Sequence, residues 1–190
     1  ESVANITYNI RFGWYIRSMH KWSANLMIVT VFLHMLRVFF TGAYRHPRQV
    51  NWMIGLGLLG TTMVFGFTGY SLVYEQLSFW GATVATKLAN AVPVIGPYAG
   101  YILRGGPEIG GYTLTRFYIF HIGLLPTAMF ALLGMHVMLI RLHGVKEMQF
   151  EDEEVTEKDR YFKFWPDHVT TEMMVAVTLM YLLTIISLLA

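Results

Sequence analysis

The sequence predicts an all-α integral membrane protein, a bundle of four transmembrane helices with short surface helices in one long loop. Three observations carry that expectation. Of 190 residues, 55% are hydrophobic and 14% charged, against about a quarter charged in an average soluble domain. Mean hydropathy is +0.46. The charges also leave long gaps: residues 50–74, 117–140 and 173–190 contain no Asp, Glu, Lys or Arg, and ~20 helical residues cross a hydrocarbon core of ~30 Å.

The elements follow in order. A first span runs over residues 22–40, with Arg37 near enough to its end to snorkel to the interface. The short loop 42–49 makes the first two spans an antiparallel hairpin. Loop 75–116 contains Pro93, Gly96, Pro97, Gly105, Gly106 and Pro107, and reads as short surface helices broken by turns. Pro126 lies within the third span and should kink it, freeing the carbonyl of Ile122. The third loop, 141–167, carries Glu151, Asp152, Glu153 and Glu154 and reads as a solvated acidic linker. The chain thus divides into a core at 1–145, a linker at 146–168 and a fourth helix at 169–190. Eight of the 14 Lys and Arg residues fall on the side of loops one and three, which assigns that side to the cytoplasm. The chain opens on Glu1 and closes within an apolar run at Ala190, as a processed or truncated chain would.

Composition excludes several classes of function. With no cysteine, the chain forms no disulfide and supplies no thiolate to an iron–sulfur cluster, a zinc site or a nucleophile. A scattered net charge of +2 is unlike a nucleic-acid footprint. Five Trp, eleven Tyr and thirteen Phe exclude a disordered chain.

Four of the seven histidines lie in or beside the spans. His20 and His34 are 14 residues apart on the first, and His121 and His136 are 15 apart on the third. At ~100° per residue those steps return to within about 40° and 60° of the same face, ~21–22 Å along the axis. The first and third spans run in the same direction, so His20 can meet His121 at one depth and His34 can meet His136 at another. A lone intramembrane histidine can be a packing residue or part of a proton relay. Two stacked pairs suit two haems, each iron held by two axial imidazoles, with no position left for oxygen or substrate; such centres carry electrons. Gly55 and Gly69 share the 14-residue period and would give each macrocycle a wall without Cβ atoms. Gly57, Gly60 and Gly66 suit ordinary close helix packing. Arg17 and Arg37 lie one turn outward from His20 and His34, where haem propionates need cations. His46, His143 and His168 are expected in solvated loops.

Six motifs then resemble the cytochrome b of Rieske/cytochrome b quinol-oxidising complexes: R-S-M-H-K-W at 17–22, L-H-M-L-R at 33–37, T-G-Y-S-L at 68–72, F-W-G-A-T at 79–83, P-V-I-G at 93–96 and L-T-R-F at 114–117. The histidine spacings are similar to the chloroplast type and F-W-G-A-T to the mitochondrial type, which suggests a bacterial relative of mixed character in the cytoplasmic membrane. The resemblance implies two b-type haems, the outer of low potential on His20 and His121, the inner of high potential on His34 and His136. It implies Gly69 facing the outer haem and Gly55 the inner, with Arg17, Arg37 and Trp52 near propionates. It implies an outer quinol-oxidation pocket lined by Tyr70, Gly81 and Ile95 and shaped by Pro93, and an inner quinone site around Arg141. One quinol electron would pass to a Rieske iron–sulfur protein and on to cytochrome c or another soluble acceptor. The other would cross the haems to quinone, with protons moved across the membrane. A homodimeric complex is implied, as is a further subunit or segment with the remaining cytochrome b helices.

The chain departs from the family at several points. The family's first transmembrane helix precedes the region matching Glu1. Its Pro-Trp after T-G-Y-S-L is replaced by Val73 and Tyr74. No cysteine is available to attach a third haem on the inner side. The last helix resembles the start of the family's second half, and the Pro-Glu-Trp-Tyr-type loop of the outer pocket would lie beyond Ala190 or on another chain. A di-haem membrane anchor of a dehydrogenase or hydrogenase would use similar histidines without these motifs. A cofactor-free transporter with a histidine proton relay would give Gly55 and Gly69 no reason to share the histidine period.

Overall fold

The computed structural model describes residues 2–146 and 164–189, and every regular element among them is a helix. In chain order these are α1 (Ser2–Tyr8), α2 (Gly13–Phe40), α3 (Gln49–Ser71), α4 (Gln76–Asn90), α5 (Gly96–Arg104), α6 (Gly111–Ile119), α7 (Leu125–His143) and α8 (Val169–Leu189). Two π turns, Phe120–Leu124 and Phe164–His168, lead into α7 and α8. Four helical stretches are long and apolar enough to cross a membrane: Gly13–Phe40, Gln49–Ser71, Gly111–His143 and Trp165–Leu189. The acidic run at 151–154 lies outside the described residues.

The observed spans overrun the apolar windows, because hydropathy marks the part that sits in lipid whereas a helix continues until a turn stops it. α2 begins nine residues ahead of the expected start. Its 28 residues rise ~42 Å at ~1.5 Å each, enough for the hydrocarbon core and one interfacial stretch. α3 stops at Ser71 rather than running to Tyr74, since Tyr74 takes a φ of +52° and Glu75 is extended at the N-cap of α4. The expected irregularity at Pro126 takes the form of a π turn just before it. The Leu125 N–H reaches back five residues to the Phe120 carbonyl, and Pro126 follows directly within a helical run that continues from Gly111 to His143.

The chain forms two compact units, one from the 1–30 and 146–190 portions and one from Val31–Val145. In the first unit, Gly13 is buried where α1 meets the start of α2, and a Cβ there would overlap the carbonyl of Ile6. Tyr15 and Thr184 share a hydroxyl hydrogen bond of 3.1 Å that ties α2 to α8.

The second unit is organised on α3 and α7. Gly55 faces His136, Gly57 faces Leu132 and Gly69 faces His121. Numbers rise along one helix as they fall along the other, so the two are antiparallel. Phe117 of α6 is buried with its ring 5.5 Å from that of Phe67. α4 and α5 form a hairpin beside the end of α3. The Asn90 amide closes it, donating to Gly96 O at 3.1 Å and accepting from Arg104 Nη2 at 2.7 Å. Gly100 leaves room for that side chain. Thr113 Oγ1 donates to Arg104 O at 2.6 Å and accepts from Gly110 N at 3.1 Å, which fixes the start of α6.

Burial is inverted relative to a soluble protein. Most buried side chains among the described residues are small and polar: Thr62, Thr68, Ser71, Ser78, Thr86, Thr113 and Ser187. Large apolar residues such as Phe130, Met138 and Leu182 are exposed. The three threonines of α3 and α4 donate to their own helix four residues back, at 2.9 Å each. Hydroxyls satisfied in this way can be packed between helices, leaving the apolar faces for lipid, where no water would solvate a polar group.

Candidate functional site

His34 and His136 face each other in the second unit, with ring centroids 6.4 Å apart and planes at 78°. Two imidazoles bound to one metal by bonds of ~2.0 Å have centroids roughly 6 Å apart, so the pair stands at the separation of axial ligands on a shared ion. Among the described residues no group of three or more His, Asp or Glu is set to hold a metal ion. Two imidazoles at this separation would suit an iron whose remaining ligands come from a macrocycle. Nδ1 of His136 is buried and makes no hydrogen bond. The Asn51 main-chain carbonyl lies near the ring without meeting Nδ1 in hydrogen-bonding geometry.

His121 marks the second level. Its ring packs on the backbone of Gly69, where a Cβ would stand 2.8 Å from Cε1. Phe65 meets it edge-on at 5.3 Å, and Thr68 Oγ1 is 3.0 Å from Nδ1. A Cβ at Gly55 would come no closer than 3.7 Å to His136. Since Gly55 and Gly69 are 14 residues apart on one straight ruler, α3, the two imidazole levels are separated by ~21 Å. The glycines thus meet the imidazoles themselves.

The π turn explains the unequal histidine spacings. His121 lies inside it, and a π turn takes up one residue relative to an α-helix. The 15-residue step from His121 to His136 therefore advances the face as 14 α-helical residues would, matching His20 to His34 and Gly55 to Gly69.

The other expected residues are placed as follows. His20 and Arg17 lie on the part of α2 in the first unit, both exposed. Arg37 is exposed one turn beyond His34. Trp52 packs on Tyr44 with centroids 5.5 Å apart, and Tyr44 stacks on Phe39 at 6.0 Å. Arg141 is exposed in the last turn of α7. Tyr70 lies in the last turn of α3, Gly81 lies on an exposed face of α4 and Ile95 caps α5, 64% exposed. Pro93 and Ile95 flank Val94, whose φ of +68° is uncommon for a β-branched residue and costs ~1–3 kcal/mol. His46 is exposed in a loop as expected. His143 departs from expectation: it ends α7 with Nδ1 buried, because the helix outlasts the apolar window by a turn.

Two features escaped the sequence reading. Arg48 Nε donates to Gly144 O at 3.0 Å, fastening loop one to the end of α7. Thr68 carries the hydrogen bond to His121, and the only sequence signal for it is its place directly before Gly69 in T-G-Y.

A multi-pass helical membrane protein that presents imidazoles at two depths of one helix pair belongs to the class of intramembrane haem carriers. Residues 25–190 match the family model for cytochrome b (N-terminal)/b6/petB. The chain is 45% identical over 146 residues to the cytochrome b6 of Heliomicrobium gestii, covering 77% of this chain and 68% of that protein. It is 41% identical over 144 residues to the cytochrome b6 of Synechocystis sp., covering 76% and 65%. A chain of a hyperthermophilic respiratory Complex III superposes with a TM-score of 0.80 at 27% identity, covering 96% of this chain and 49% of its own length. The chain belongs to the cytochrome b family. It spans about two thirds of the cytochrome b6 relatives and about half of the Complex III chain.

Proposed function

We propose that the chain is the di-haem core of the cytochrome b subunit of a quinol-oxidising electron-transport complex in a bacterial cytoplasmic membrane. The single observation that carries the reading is the 6.4 Å separation of His34 and His136, with His121 held a full period away on the same helix pair. His34 and His136 hold the inner haem, and His20 and His121 the outer one. Bound there, the haems supply one-electron couples at two depths. The protein's part would be to supply two imidazoles to each haem, leaving no open position for a substrate. Arg17, Arg37 and Trp52 serve the propionates. Tyr70, Gly81 and Ile95 form part of an outer quinol pocket, and Arg141 lies toward an inner quinone.

The partners are a Rieske iron–sulfur protein, a soluble acceptor such as cytochrome c, the remaining cytochrome b helices and a second copy of the complex. The test is a pyridine haemochrome and a dithionite-reduced difference spectrum of the complex purified in detergent. Two b-type haems per chain, titrating at separate potentials, are expected. A preparation with its partners retained and no haem would overturn the reading.

A further inference from the structure

We propose that Thr68 is a positioning residue for His121, whose hydroxyl fixes the imidazole as the Nδ1–H tautomer and strengthens it as an axial ligand; this rests on the haem-binding reading above. A hydroxyl has one hydrogen and two lone pairs. Thr68 Oγ1 lies 2.9 Å from Val64 O and 3.1 Å from Phe65 O, and carbonyls only accept, so its one hydrogen is committed to its own helix. Toward His121 Nδ1, 3.0 Å away, it can then only accept. Nδ1 is therefore the protonated nitrogen, and Nε2 keeps its lone pair for a metal.

Thr68 is 2% exposed, so no water competes for the hydroxyl. It is also fixed in direction by its hydrogen, shared between two carbonyls of the helix whose Gly69 backbone backs the same ring. At the His136 level no hydroxyl plays this part: Nδ1 there has no side-chain partner, and the neighbouring polar group is the Asn51 main chain. A ligand imidazole that donates through its other nitrogen is a more basic ligand and favours ferric over ferrous iron. The hydroxyl thus lowers the potential of the His121 haem and leaves the His136 haem alone, widening the gap between the two couples.

The experiment is a potentiometric titration of both haems in the intact complex, comparing the unsubstituted chain with Thr68→Val, which keeps the shape and removes the acceptor, and Thr68→Ser, which keeps the acceptor. The expected result is a tenfold loss of ferric preference in Thr68→Val, an upward shift of ~59 mV for a one-electron couple. That shift should be confined to one haem and largely restored in Thr68→Ser. Selective loss of that haem in Thr68→Val with retention in Thr68→Ser also supports the proposal, since removing an outer-shell partner typically costs 10–100-fold in metal affinity. Unchanged potentials at full haem content, or equal shifts in both haems, overturn it. Where Thr68→Val does not assemble, Thr68→Ala against Thr68→Ser is read by the same rule. An unsubstituted complex without haem is a failure of the underlying reading, visible before any variant is made.

Discussion

Adding one methyl group at Gly69 tests the site more sharply than removing a ligand. A Cβ built there stands 2.8 Å from His121 Cε1, 3.4 Å from Nε2 and 3.5 Å from Nδ1, while carbon atoms pack best at ~3.5–4.0 Å. The ring must retreat by somewhat under 1 Å. It has little freedom to do so, because Thr68 holds Nδ1 at 3.0 Å and Phe65 stands against its edge. A ligand needs placing to within ~0.5 Å, and overpacking of a tight site costs ~1–3 kcal/mol, which is about a 5- to 150-fold loss of haem affinity. The matching control is Gly55→Ala. Its Cβ meets His136 at 3.7 Å, an ordinary contact, and alanine is up to ~1 kcal/mol better than glycine in a helix. Haem per chain, with a potentiometric titration to tell the two centres apart, reads both variants. The expected outcome is one haem lost or weakened in Gly69→Ala and two unperturbed haems in Gly55→Ala. Equal tolerance of both substitutions, or equal damage, would refute the reasoning.

Three further outcomes follow from the same geometry. His34→Ala and His136→Ala should each remove the same single haem, leaving the other spectrally intact; removal of different haems by the two variants would break the pairing. If His34 and His136 hold one iron, the 78° between their ring planes would make the d orbitals that π-bond to imidazole nearly degenerate, so EPR of the oxidised complex should show a strongly anisotropic low-spin line, whereas a rhombic spectrum would mean near-parallel planes. Deleting Gly123 from the π turn, with Pro126→Ala to permit an α turn, should keep both haems. Deleting Ala131 swings His136 by about 100° and should cost one, as haem stoichiometry would report.

The spans were legible because a run of some 20 uncharged residues has few uses outside a bilayer. Their ends were not, because a helix is stopped by turns such as the one at Tyr74, which hydropathy does not register. The four histidines stood out as ionisable groups in apolar helices, where each is expensive to keep. The 15-residue spacing on the third span already fell within about 60° of one face on an α-helical wheel, which has no place for a π turn; the structure accounts for the extra residue by lodging His121 in that turn. Thr68 was invisible for another reason. Transmembrane threonines commonly bond back to their own helix, as Thr61, Thr62 and Thr127 do here, and nothing in one sequence marks the residue whose second lone pair faces an imidazole. The residues expected near propionates and quinone rest on their motifs alone; Arg17, Arg37, Tyr70, Gly81, Ile95 and Arg141 are exposed and Trp52 is half-buried.

α3 donates no imidazole, yet it sets the geometry at both levels. Gly69 gives His121 its closest approach, Thr68 orients that ring, and Gly55 faces His136 with room to spare. A helix without ligands is free to vary at each level separately, because a change in its side chains does not remove an axial bond. The two levels are also unlike: the His121 ring is pressed on Gly69 and bonded to a side-chain hydroxyl, whereas the His136 ring has room at Gly55 and no side-chain partner at Nδ1. Two centres with the same axial ligands can still be set to different potentials by what surrounds the ligands. If two haems bind, the residues that make their levels unlike lie on α3, which supplies neither ligand. Substitutions at positions 68 and 69 should therefore move one potential, where substitutions of the histidines can only abolish it.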